Sequence, residues 1–153
     1  MQSSALFSEC RTYRYALWRT WDESLESILF IGLNPSTADE TYNDPTITRC
    51  INFAKQWGYG GLCMANLFAY CASNPREILK VVDPIGIDND QILFNLAKDA
   101  GLVVAAWGNK GSFMGRSDYV ARSLENLMCL KINNSGEPAH PLYLRSSSEL
   151  ISF

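Results

Sequence analysis

The chain holds a single histidine, and its five cysteines, Cys10, Cys50, Cys63, Cys71 and Cys129, never occur as Cys-x-x-Cys. A zinc centre of the usual Cys/His kind lacks its paired-ligand signature here, and no metal or cofactor is expected. Scattered thiols in odd number give no disulfide framework; they fit reduced, mostly buried side chains in a cytoplasmic protein. No apolar run nears the roughly 20 residues of a membrane span, and Met1–Cys10 has neither the basic start nor the apolar middle of a secretion signal, so no membrane partner is expected. Positive charge is also scarce. Thirteen Lys and Arg against 16 Asp and Glu leave −3, which excludes a basic whole-surface grip on DNA and restricts any nucleic-acid contact to a local one. Repeats and low-complexity segments are absent as well.

What is present suffices for one core. A chain of 153 residues, 47% hydrophobic and 19% charged, is expected to form one domain over residues 1–153. Its centre is Ile28-Leu29-Phe30-Ile31, an uncharged run that reads as a strand buried on both faces. The turn formers Gly32, Asn34, Pro35 and Ser36 follow, so the strand stops where its backbone can meet a ligand, the usual place for a site in an open α/β sheet. Leu62–Phe68, Leu102–Trp107 and Met128–Ile132 read as three further strands. Between them, helices are expected from Pro45 to Trp57, from Pro75 to Val82, from Asp88 to Ala100 and from Ser117 to Leu127. Asp44-Pro45 and Asn74-Pro75 are cap-then-proline starts, and Gly58 and Gly101 are stops. Alternating strands and helices predict an α/β fold of three layers, α/β/α, around a central four-stranded, mainly parallel sheet.

Several residues stand out at the ends of these strands. Asn66 interrupts the second apolar run, and a buried amide there is either a loop brace or a ligand reader. Lys110 lies in the glycine-rich loop after the third strand, Arg116 opens the next helix, and Arg145 follows His140-Pro141. Upstream, Tyr13, Tyr15, Trp18 and Trp21 alternate with Arg11, Arg14 and Arg19 and suit an edge strand or hairpin that packs on the core or stacks on bases.

In type, order and strand position, Gly32-Leu33-Asn34-Pro35-Ser36, Asn66, Val103–Gly108 and His140-Pro141 resemble the uracil-DNA glycosylase superfamily over residues 28 to 145. Gly-Leu-Asn-Pro-Ser-Thr-Ala-Asp, Asp-Pro-Thr, Asn-Leu-Phe-Ala, Ala-Trp-Gly and His-Pro-Leu-Tyr resemble more specifically a bacterial and phage family of unknown function. The superfamily resemblance implies a glycosylase-like fold and a nucleobase-containing ligand, in DNA or as a nucleotide. Asn34 then lies where water attacks the sugar carbon, and His140 stabilises negative charge on the departing base; these two are the expected catalytic residues. Asn66 reads the base, Gly32, Pro35 and Ser36 bound the pocket, Tyr42 or Phe68 supplies the aromatic floor, and Lys110, Arg116 and Arg145 hold phosphates. Asparagine replaces the commoner aspartate at position 34. An amide orients water but accepts no proton, so Asp39, Glu40 or Asp44 would have to act as base. The expected function is recognition of a nucleobase, with N-glycosidase activity on it, or, as the alternative, a non-catalytic nucleotide- or nucleic-acid-binding module.

Overall fold

Four consecutive apolar side chains on one strand demand a layer on each face of it. In the computed structural model, which describes all residues from 1 to 153, that demand is met by helices on both sides of one seven-stranded sheet. The strands are β1 (Gln2–Phe7), β2 (Arg14–Thr20), β3 (Ser27–Gly32), β4 (Gly61–Asn66), β5 (Leu102–Ala105), β6 (Met128–Cys129) and β7 (Ile151–Ser152). Their order is β1-β2-β4-β3-β5-β6-β7. β4, β3, β5 and β6 run parallel, whereas β1 on β2, β2 on β4 and β7 on β6 are antiparallel.

The sheet is thus mixed and seven-stranded, not four-stranded and mainly parallel. Of the added strands, β1 and β7 are the two edges, where one or both faces meet solvent and no continuous apolar run is needed, whereas β2 lies between β1 and β4 and is mostly buried. β1 is exposed or half-buried throughout, and β7 is two exposed residues.

Alternation along β3 assigns each side chain to a layer. Ile28 and Phe30 pack with Ile47, Cys50, Ile51 and Ala54 of α1 (Pro45–Gln56). Leu29 and Ile31 face the opposite way, towards Leu93 of α2 (Asn89–Asp99) and Val120 of α3 (Arg116–Ser123). Asp44 caps α1 by accepting the Ile47 N–H at 3.0 Å, and Pro45 occupies the first turn. The helix expected from Pro75 to Val82 is only a 3-10 stretch, Pro75–Leu79, and α3 stops at Ser123 because Leu124 is extended. No helix is long and apolar enough to cross a membrane.

Candidate functional site

The parallel strands β3, β4 and β5 all end at one rim, and each delivers its following residues there. β3 brings Gly32 and Asn34, β4 brings Asn66, and β5 brings Trp107, Gly108 and Asn109. Gly108, at φ +75°, turns the chain beneath the segment carrying His140. Because β2 runs antiparallel to β4, it is the start of β2, Arg14, that reaches this rim, where its N–H donates to the Ala69 carbonyl. The loop from 38 to 43 is tied down by the arginines of the first hairpin. Arg14 donates to the Ala38 carbonyl, Arg19 to the Asp39 and Tyr42 carbonyls and the Asn43 amide oxygen, and Arg11 pairs with Glu40.

Two connected spaces open at the rim. An inner chamber of about 90 Å³ is bounded by Arg14, Gly32, Asn34, Asp44, Asn66 and His140, among others. It leads to an outer groove of about 500 Å³ that shares Asn34, Ser36, Asp44 and His140 and adds Ser73, Asn109, Lys110 and Tyr143. Gly32 in the chamber wall leaves no room for a side chain: a Cβ there would lie 2.7 Å from both Asn66 Oδ1 and Met64 Cε.

Backbone groups fix the orientation of Asn34 and Asp44 in the chamber. Asn34 Nδ2 donates to the Pro35 and Ala72 carbonyls, both at 2.9 Å. That leaves its Oδ1 as the acceptor. Asp44 receives the Ile47 and Ala38 N–H groups, one on each carboxylate oxygen. Asn66 is 2% exposed, yet its Nδ2 has no partner; Arg14, equally buried, has an unpartnered Nε. Burial lowers the Arg14 pKa, and the Asp44 carboxylate opposes that shift. Such orphaned donors are costly and scarce in folded proteins, and both belong to residues that line the chamber.

His140 completes the chamber. Its Nδ1 accepts the Leu142 N–H at 3.2 Å, which puts the proton of the neutral ring on Nε2. Burial lowers the imidazole's pKa, with Asp44 pulling the other way, so at pH 7 the ring is a neutral donor. Tyr143, 86% exposed, tilts against it at 5.6 Å between ring centres.

The structure therefore brings Gly32, Ser36, Asn34, Asn66 and His140 together at the chamber, with Lys110 at the groove. It does not bring the remaining candidates there. Pro35 is buried and accepts hydrogen bonds through its carbonyl. Tyr42 is exposed in the loop, and Phe68 lies wholly inside the core against Phe113, so neither forms a floor to the chamber. Arg116 is 3% exposed and committed to the Leu67 carbonyl and Asp90, which leaves it nothing to offer a phosphate. Arg145 is exposed and borders neither space. Among the carboxylates, Glu40 is held down to about 2 by Arg11, and Asp39 is spent on the Thr41 and Tyr42 N–H groups, leaving Asp44 at the chamber. Arg14 had no sequence signal beyond its place among aromatics in a strand.

A larger groove, of about 690 Å³, lies at the other end of β5, between the last turns of α2 and α3. None of the residues bounding it carries an unpartnered buried polar atom.

A family model described as "Protein of unknown function (DUF1643)" matches residues 14–142. No curated protein and no solved structure matches the chain.

Proposed function

The chain belongs to this DUF1643 family, and from that premise we propose that it recognises a nucleobase, on a fold of uracil-DNA glycosylase type, with the base in the inner chamber and its sugar and phosphate in the outer groove. The observation that carries this is the buried Asn66 amide, whose Nδ2 has no protein partner in the space it shares with Asn34 and His140. A planar heterocycle with oxygen and nitrogen on its edge satisfies such an amide. Ser36, Ser73, Asn109 and Lys110 give the groove hydroxyls, an amide and one cation for a sugar-phosphate.

The reaction that suits this arrangement is hydrolysis of the base–sugar bond. Water, oriented by Asn34 Oδ1, adds to the anomeric carbon as the carbon–nitrogen bond breaks. The bonding electrons leave with the base, and His140 Nε2–H donates to the oxygen on which the charge settles. The water's proton passes to Asp44 or to solvent. The test is incubation with uracil-, thymine-mismatch- and hypoxanthine-containing single and double strands. Abasic sites are the expected outcome, and His140→Ala should remove them without unfolding the protein.

One observation favours a second reading, a binding module without the reaction. The Asn34 amide cannot take the water's proton, and both oxygens of Asp44 already receive backbone N–H groups. Retained, salt-dependent oligonucleotide binding with no cleavage on any substrate would establish that reading instead.

A further inference from the structure

We propose that the outer edge of β1 is an interaction surface for a second copy of this chain, the two β1 strands pairing antiparallel about a two-fold axis at Ser4 to join two seven-stranded sheets into one. The sheet ends in two edges of unlike kind. β7 has two residues and offers little to pair with. β1 has six, pairs only with β2, and no other stretch of backbone hydrogen-bonds to it. An edge strand is usually blunted by a charge, a proline or a bulge. Gln2-Ser3-Ser4-Ala5-Leu6-Phe7 has no charge and no proline, and its one irregularity falls between Leu6 and Phe7, so Gln2–Leu6 form a regular row with one side free.

Those five residues set the register. Side chains alternate between the faces, and a two-fold axis normal to the sheet keeps each face on its own side, so the axis passes through a residue and not between two. Centred on Ser4, the five pair completely with themselves: Ser4 meets Ser4, Ser3 meets Ala5 and Gln2 meets Leu6. Centred on Ala5, the pairing would run across the irregularity.

Charge favours a second copy over a foreign strand. Without charge of its own, β1 has nothing with which to select a foreign partner of either sign. At −3 two copies repel, so self-association needs a place where like charges stay apart. The charged residue nearest in sequence is Glu9, five positions past the axis. Antiparallel pairing sets the two Glu9 side chains roughly 30 Å apart, well beyond the screening length of about 10 Å. A groove of about 410 Å³ beside the strand adds apolar surface: it is lined by Leu6, Tyr13, Tyr15, Ile87 and Ile92, with Leu6 42% and Ile87 92% exposed. Pairing brings the partner's Gln2 to the Leu6 end of this groove. No residue of β1 bounds the inner chamber or the outer groove, so the inference stands apart from the nucleobase reading.

Sedimentation equilibrium of the full chain, from micromolar to near-millimolar concentration, should show one chain passing to two and no further, because each copy has one such edge to give. Ser4→Lys, at an exposed position, sets two ammonium groups about 5 Å apart across the axis. It should raise the dissociation constant at least about 10-fold and leave the far-ultraviolet circular dichroism unchanged. With Cys10→Ser to remove the exposed thiol, Ser4→Cys should cross-link to its own copy on mild oxidation. Gln2→Cys, about 14 Å from its counterpart at ~3.4 Å per residue, should not. A mass of one chain at every concentration overturns the proposal and leaves the edge to a strand from another protein. A dimer that Ser4→Lys does not weaken also overturns it, since the copies then meet elsewhere, and cross-linking through Gln2 but not Ser4 overturns the register.

Discussion

The two ends of the parallel strands carry spaces of very different quality. At the amino end of β5 the groove is the larger, about 690 Å³, and no buried polar atom around it lacks a partner. At the carboxyl end the chamber holds only about 90 Å³, yet two of its lining residues carry unpartnered buried donors and a half-buried imidazole keeps its proton on Nε2. Volume thus points to one end and unmet hydrogen bonding to the other. Unmet hydrogen bonding is the better guide, because an orphaned donor costs stability that folding alone gives no reason to retain.

Arg116 and Arg14 show the same contrast within one residue type. Both are almost wholly buried, but Arg116 is fully engaged by Leu67 and Asp90, whereas Arg14 keeps a donor in reserve. Removing Arg116 should therefore have the largest effect on stability. Arg116→Met is expected to lower unfolding free energy in urea by about 2–3 kcal/mol while leaving ligand response unchanged in the folded fraction. Asn66→Ala should do the reverse, changing stability by less than about 1 kcal/mol, because the lost packing is offset by removal of an unsatisfied donor, and abolishing nucleobase binding. A large loss of stability with binding intact would reverse the assignment of brace and reader.

Filling the amino-end groove with Ser123→Trp should alter stability by no more than about 0.5 kcal/mol and leave binding untouched; lost binding would move the site to that end. The smallest effect is the pH response of His140. Its folded-state pKa lies below the ordinary 6.5, so the unfolded chain takes up this proton first. The stability tied to the neutral ring is complete above the ordinary value and is lost as pH falls from there through the folded value. As the chain's one histidine, it gives a single imidazole titration by NMR, and His140→Gln should remove the corresponding part of the stability change between about pH 7.5 and 5.5.

Much of the centre was legible in the residues. A continuous apolar run identifies β3 because burial on both faces leaves no polar position, and Asp44-Pro45 marks the start of α1 because cap chemistry is local. Asn66 and His140 stand out as isolated polar residues at the ends of apolar or proline-bounded stretches. β1 was not legible, since an edge strand covered on one face at most needs no distinct pattern. Arg14 was missed for a different reason. In the alternation Tyr13-Arg14-Tyr15 an arginine normally marks the solvent face, and only the antiparallel placement of β2 beside β4 turns it into the chamber. Tyr42, Phe68, Arg116 and Arg145 were suggested by residue type near strand ends, but type says nothing of which way a side chain points or what already holds it.

Gly32 gives the whole arrangement an unusual vulnerability. Two side chains crowd against its backbone, and a single methyl group there would collide with Asn66 Oδ1 and Met64 Cε. Alanine at that position would force the Asn66 amide and the Met64 methyl aside, disturbing the rim through the two side chains that meet there.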